Sequence, residues 1–203
     1  MTAANMQAAE AVTPPVQVSR AIRLVRVIVL IVAGLAVAFT APMHEQIGFD
    51  QTLLCISLAG LGIAHLLHAL AARGRGGSPI ALMLGIVAIA AAVLVPLSGM
   101  ASPDLGVTTL VSITLAVWAL VSGLLEFICA FVQPGSRQDA LLLGALGVLL
   151  SMLILVFRND PVAVIGFFGA YAVLAGVFLG ISAFDNRAAG AAAAVTAANA
   201  QPQ

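Results

Sequence analysis

The stretch DALLLGALGVLLSMLILVFRNDPVAVIGFFGAYAVLAGVFLGISAF, residues 139–184, holds two apolar runs at about 139–157 and 162–184, split by RNDP. A hydrocarbon core of about 30 Å takes about 20 residues of helix to cross. Each run meets that length, and the four-residue break forces the two helices antiparallel. Working outward toward the N-terminus, four more runs of the same kind lie at about 107–131, 79–97, 52–72 and 21–41. The chain therefore reads as an all-α, polytopic membrane protein of six transmembrane helices.

Composition agrees. With 62% hydrophobic and 8% charged residues, the chain lies far from soluble globular domains, in which about a quarter of residues are charged. A water-soluble fold could not cover so much apolar surface. Opposite charges balance and no basic stretch interleaved with aromatics is present, so nucleic acid is not an expected partner. The expected partners are the lipid bilayer and either a second copy or other membrane proteins. All eight cationic residues are arginine, a compositional signature of a GC-rich bacterial genome, which points to a bacterial plasma (inner) membrane. Residues 1–19, with Pro14 and Pro15 and no cationic start, read as a disordered cytoplasmic leader. Residues 186–203, Ala-rich and without an amphipathic pattern, read as a disordered cytoplasmic tail. The membrane domain is expected over 20–185.

Arginine placement sets the expected orientation, because segments on the cytoplasmic side of helix ends carry the excess of positive charge. Arg20, Arg23, Arg26, Arg73, Arg75, Arg137 and Arg187 all fall on one side if both termini are cytoplasmic, and Arg158 alone falls on the other. Glu45, Asp50 and Asp104 are expected in the opposite loops. The loops PMHEQIGFDQ, RGRGGSP, SGMASPDLG, QPGSRQD and RNDP hold most of the Pro, Asp and Arg, and Pro79, Pro103 and Pro161 fall at or just before helix starts, where a missing N–H does no harm.

The helices pair into three consecutive hairpins that resemble one another. Thr52-Leu53-Leu54-Cys55-Ile56-Ser57-Leu58-Ala59 matches Thr109-Leu110-Val111-Ser112-Ile113-Thr114-Leu115-Ala116, 57 residues on, and the same step carries Gly123 to Gly180 and Phe127 to Phe184. Ala81-Leu82-Met83-Leu84-Gly85 matches Ala140-Leu141-Leu142-Leu143-Gly144, 59 residues on. Three copies of one two-helix unit, all entering from the same side, give parallel repeats about an axis along the membrane normal. Inverted repeats, frequent in secondary transporters, would need an odd number of helices per unit.

On these features the chain resembles the HdeD-like bacterial membrane proteins, six-helix proteins built from short repeats. The third unit, 139–184, carries the resemblance most clearly, through its Gly-rich first helix, the short loop ending in Pro161 and the second-helix form GAYAVLAG. Units 80–131 and 22–72 follow the pattern more loosely. The resemblance implies a part in acid or other envelope stress tolerance. One departure is plain: where that family carries an acidic residue before a glycine in the second helix of a repeat, this chain has Ser122 before Gly123 and Ala175 before Gly176, and the position falls near His65 in the first unit.

Ionisable groups at membrane depth are costly and therefore informative. His65 and His68 lie in run two and Glu126 in run four, and His68 and Glu126 sit at one level, about 9–10 Å to the arginine-rich side of their helix centres at about 1.5 Å per residue. His68 continues a stripe of Ser57, Gly60 and Ala64, and Glu126 lies with Ala119, Ser122 and Gly123. Such small-residue stripes mark close helix packing. With Arg23 or Arg26 as cationic partner, the three read either as a proton-sensitive cluster or as wetted groups that only pack and hydrogen-bond. Arg23 and Arg26 also read as markers of the headgroup level. Gly123, Gly144, Gly176 and Gly180 are expected in helix packing, the last two as a GxxxG against neighbouring helices of the same bundle. Trp118 and Tyr171 read as buried packing, and His44, beside Glu45, as a solvated loop residue. Cys55 and Cys129, at opposite depths, read as small buried hydrophobes rather than a disulfide.

No phosphate-cradling loop, HExxH, nucleophile elbow or Cys/His cluster is present. Catalysis, cofactors and metals are not expected. The sequence leaves three functions open: a stress-related membrane protein, a small proton-linked transporter or channel using the His/Glu cluster, or a purely structural scaffold or assembly factor.

Overall fold

The computed structural model describes residues 20–44, 46–73, 79–101, 106–132 and 137–184. The expected leader and tail, and with them Glu45, Arg75, Asp104 and Arg187, lie outside the described residues. Among the described residues six helices follow one another: α1 (Arg20–Phe39), α2 (Ile47–Ala71), α3 (Pro79–Ala101), α4 (Val107–Val132), α5 (Arg137–Val156) and α6 (Pro161–Phe184), with one 3₁₀ turn at Ala41–Met43. Each is long and apolar enough to cross a membrane, and among the described residues there is no strand.

Local chemistry explains the ends. α3 and α6 open on Pro79 and Pro161, and the Ala163 N–H at the start of α6 donates to Asp160 Oδ1 at 3.0 Å, which caps an otherwise unpaired donor. Gly106, just before α4, has φ of 70°, a backbone state that a Cβ would strain. The α5–α6 turn is held by the Ser112 hydroxyl, which donates to the Arg158 carbonyl at 2.9 Å.

Two boundaries differ from expectation. α2 starts at Ile47 rather than about residue 52, so that Asp50, expected in a loop, lies in its first turn and is buried. A carboxylate in an apolar helix start looks like a loop residue only until its partner is known, and here the partner is His44. α3 runs through Pro96 to Ala101 instead of stopping near 97, because a proline late in a helix deletes one backbone bond without ending the rod.

The helices close into a ring in chain order. The closest packing is between α4 and α5, α2 and α3, and α6 and α1, while α1–α2, α3–α4 and α5–α6 touch more lightly. The tight pairs are thus one helix out of step with the sequence units, and the third of them joins the two ends of the bundle. Arg20, stacked 5.4 Å over the Phe184 ring, adds to that closure.

Burial repeats with the sequence spacing. In the even-numbered helices, Leu54, Val111 and Phe168, then Leu58, Leu115 and Ala172, then Leu61, Trp118 and Ala175 are 57 residues apart, and none is more than 4% exposed. In α3 and α5, 59 residues apart, Ala81 and Ala140, Leu84 and Leu143, Ala91 and Leu150, and Val95 and Ile154 are all buried. α1 follows in its second half, where Leu30, Ala33 and Val37 correspond to Ala88, Ala91 and Val95, 58 residues on. The core is therefore a stack of threefold-like apolar layers, crossed by edge-to-face contacts of Trp118 with Phe168 and Tyr171 at 6.2 and 6.1 Å.

Glycines allow the tight pairs to approach. A Cβ on Gly123 would lie 2.9 Å from the Gly144 carbonyl oxygen, one on Gly144 would lie 3.0 Å from the Gly123 oxygen, and Gly62 and Gly85 face each other in the same way across α2 and α3. Between α1 and α6, Gly34 lies against the Gly169 backbone and Gly176 against Ile31. Gly180 is different: a Cβ there would meet only Val27 at an ordinary 3.5 Å.

Candidate functional site

The apolar layers give way at one end of the ring. One turn below Leu61, Trp118 and Ala175, the 57-residue register places His65, Ser122 and Leu179, and one turn further Ala69, Glu126 and Ala183. The same end carries the start of α1, where the register that puts leucine at Leu84 and Leu143 puts Arg26. Three quasi-equivalent sectors thus differ in their polar groups: arginines from α1, histidines from α2, a glutamate from α4.

These side chains enclose a cavity of about 170 Å³ lined by Arg23, Arg26, His65, His68, Glu126, Cys129, Asp139 and Ser182, with apolar walls from Ile80, Leu84, Leu143 and Leu179. All five residues of the expected cluster border it. Arg26 Nη2 donates to Glu126 Oε1 at 2.6 Å, an ion pair between residues 100 apart whose side chains are 20% and 9% exposed. Arg26 therefore turns into the bundle rather than marking the headgroup level, because a buried carboxylate at this depth needs a counter-charge. Arg23, one turn earlier, is exposed at the rim. His65 is buried and His68 partly exposed. Glu126 thus pairs with Arg26 and with neither histidine, and neither His65 nor His68 forms a side-chain hydrogen bond among the described residues.

Sequence reading missed the fourth polar component. The Ser182 hydroxyl donates to Asp139 Oδ2, joining α5 and α6 at the cavity wall. Asp139 looked like the polar edge of a run, and the sole available signal was that Ser182 falls at the same depth on the next helix. Below the cavity, a void of about 10 Å³ reaches Trp118, Ser122 and Tyr171, room for about one water molecule. Beyond it the layers of Leu61, Leu58 and Leu54 fill the axis.

His44 also departs from expectation. It is buried at the opposite end of the bundle, with Nδ1 2.6 Å from Asp50 Oδ1 and Nε2 2.9 Å from the Val37 carbonyl oxygen. It is no solvated loop residue: α1 ends at Phe39, so the Val37 carbonyl lacks a helical partner, and the imidazole supplies one. Cys55 and Cys129 are free and only half-buried. Trp118 is buried and Tyr171 packs partly buried against the core.

The family described as "Short repeat of unknown function (DUF308)" matches residues 99–156. That span covers the end of α3 and the whole of the tight α4–α5 pair, one helix out of step with the 139–184 unit that carries the HdeD-like resemblance most clearly. No curated protein and no solved structure matches the chain.

Proposed function

We propose that this chain is a non-enzymatic, multi-pass protein of a bacterial plasma membrane, of the HdeD-like kind, that serves acid or other envelope stress tolerance through the polar cavity. The observation that carries the reading is the cavity itself: two histidines share one partly open space with a partly buried Arg26–Glu126 pair. The DUF308 match, the repeat to which HdeD-like proteins belong, supports the family side of the reading. Both termini are placed in the cytoplasm on the arginine distribution, so the cavity opens to the cell interior. Its partners are the bilayer and either itself or other membrane proteins.

Orientation is tested by labelling. In a chain with Cys55 and Cys129 replaced by alanine, a cysteine at Arg73 is expected to resist a membrane-impermeant maleimide in intact cells, and rapid labelling there would invert the threading.

Acid survival tests the role. A deletion strain complemented with His65→Asn/His68→Asn or with Glu126→Gln, expressed at wild-type level, is expected to survive acid challenge about tenfold less well than one carrying the wild type; equal survival would remove the cavity from the function. The alternative, a proton-linked transporter, predicts a leak. Liposomes carrying the protein under a pH gradient are expected to be as proton-tight as empty ones, since the axis beyond the cavity is filled by Leu58, Leu115 and Ala172, all fully buried. A leak abolished by Glu126→Gln would establish the transporter instead.

A further inference from the structure

The His44–Asp50 pair lies at the end of the bundle away from the cavity, and proton bookkeeping there does not close with ordinary protonation states. His44 Nε2 is 2.9 Å from the Val37 carbonyl oxygen, which can only accept, so Nε2 bears a hydrogen. A neutral imidazole has one N–H. Nδ1 would then be bare, facing an ionised carboxylate oxygen at 2.6 Å, lone pair against lone pair. The contact requires a proton between the two atoms, either on Nδ1, giving an imidazolium–carboxylate pair, or on Asp50, giving a carboxylic acid that donates to a neutral ring.

From this geometry we propose that His44 and Asp50 form a buried proton-binding site, which holds one proton more than a neutral histidine and an ionised aspartate would hold apart. Burial enforces it: both residues are 3% exposed, and Asp50 Oδ2 has no hydrogen-bond partner among the described residues, so an unshared negative charge there is costly. Among the described residues, the helices packed here bring no charge that substitutes for the proton. α1 carries none after Arg26, α3 carries no titratable group, and α6 brings only Tyr171, at mid-length. The neighbour across the ring is Phe49, its centroid 6.0 Å from that of His44. The site has a structural consequence too, because the protonated pair ties the end of α1, through Val37, to the first turn of α2.

The sign of the pH dependence follows. In an unfolded chain an aspartate holds its proton below pH ~4 and a histidine below ~6.5. Between those values folded and unfolded chains both hold one proton at this pair, and stability is flat. Above ~6.5 the folded chain holds one and the unfolded chain none, so stability is lost as pH rises; below ~4 the unfolded chain binds the second proton, and stability is lost as pH falls.

Asp50→Asn separates the proton from the hydrogen bonds, since the amide N–H can donate to a bare Nδ1 while Nε2 still donates to Val37. In nanodiscs the melting midpoint of the full chain is expected to fall by about 3–5 °C per pH unit above ~6.5 until the proton is released, while the Asp50→Asn chain stays flat over that window. Parallel profiles for the two chains would overturn the site. Glu45→Gln is expected to keep the wild-type slope, and loss of that slope would assign the proton to Glu45. Should Asp50→Asn not fold, ¹H–¹⁵N NMR of a His65→Asn/His68→Asn chain above pH ~6.5 decides: beside the Nε2–H of His44, a strongly deshielded proton signal shared between Nδ1 and Asp50 is expected, and a ring with the single Nε2–H and no such signal would overturn the proposal.

Discussion

Gly123→Val is expected to be the most damaging single substitution in the transmembrane core. A Cβ at that position would lie 2.9 Å from the Gly144 carbonyl oxygen and 3.0 Å from the Val148 nitrogen, both backbone atoms of a neighbouring helix that cannot rotate away as a side chain could. Relief requires α4 and α5 to move apart, and these two helices make the closest pairing in the bundle. In a membrane the apolar faces gain little from association as such, so packing at short range carries helix–helix affinity, and separation forfeits it along the whole seam. Overpacking of a well-filled core costs about 1–3 kcal/mol. The backbone character of the clash puts Gly123→Val at or above the top of that range, a fall of about 6–12 °C in melting midpoint for a chain of this size. Gly180→Ala is the matched control. Its new methyl would meet Val27 at 3.5 Å, and its midpoint is expected within about 2 °C of wild type, as read by thermal melts in the same detergent. Equal losses at the two positions would mean that the α4–α5 seam is not the tight one.

Glu126→Ala comes second, and its partner change makes it more telling. Removal of the carboxylate leaves the Arg26 guanidinium inside the bundle without its counter-charge. Breaking a fully buried pair costs about 3–5 kcal/mol; here Arg26 retains 20% exposure and borders a cavity that water can enter, so about 2–3 kcal/mol is expected. Adding Arg26→Leu should restore most of that loss. Leucine is what the repeat itself places at the corresponding sites, Leu84 and Leu143, and alanine is what it places opposite Glu126, at Ala69 and Ala183. The double variant therefore copies the other two sectors of the ring. Wild-type-like melting together with lost acid survival would show that the ion pair is kept for the cavity's function and not for the fold. A double variant as unstable as Glu126→Ala would show the reverse.

Much of the architecture is legible in the sequence because it rests on run length. A stretch such as 107–131 has few alternatives to a membrane helix, and α4 occupies Val107–Val132. The 57- and 59-residue steps were legible as letters and reappear as shared burial. What sequence could not settle was partner choice. Arg26 lies near a helix start, where arginines commonly reach headgroups, and nothing local says that it turns inward to a glutamate 100 residues away. Asp50 and His44 looked like loop residues for the same reason, each being costly to bury alone and acceptable together. The hairpin units were readable as repeats, yet packing tightness belongs to glycine faces on helices from adjacent units, which linear spacing does not rank.

The α6–α1 seam has a consequence for biosynthesis. Helices leave the ribosome in order, so α2 can meet α3, and α4 can meet α5, soon after each pair is made, whereas α1 enters the bilayer first and its tight partner last. Until translation reaches Phe184, the face of α1 bearing Gly34 and Val37 is open to lipid or to a holding factor, and the ring cannot shut. Nascent chains stalled before residue 161 should therefore crosslink from α1 to insertase or chaperone components, and those crosslinks should vanish once the last span is released.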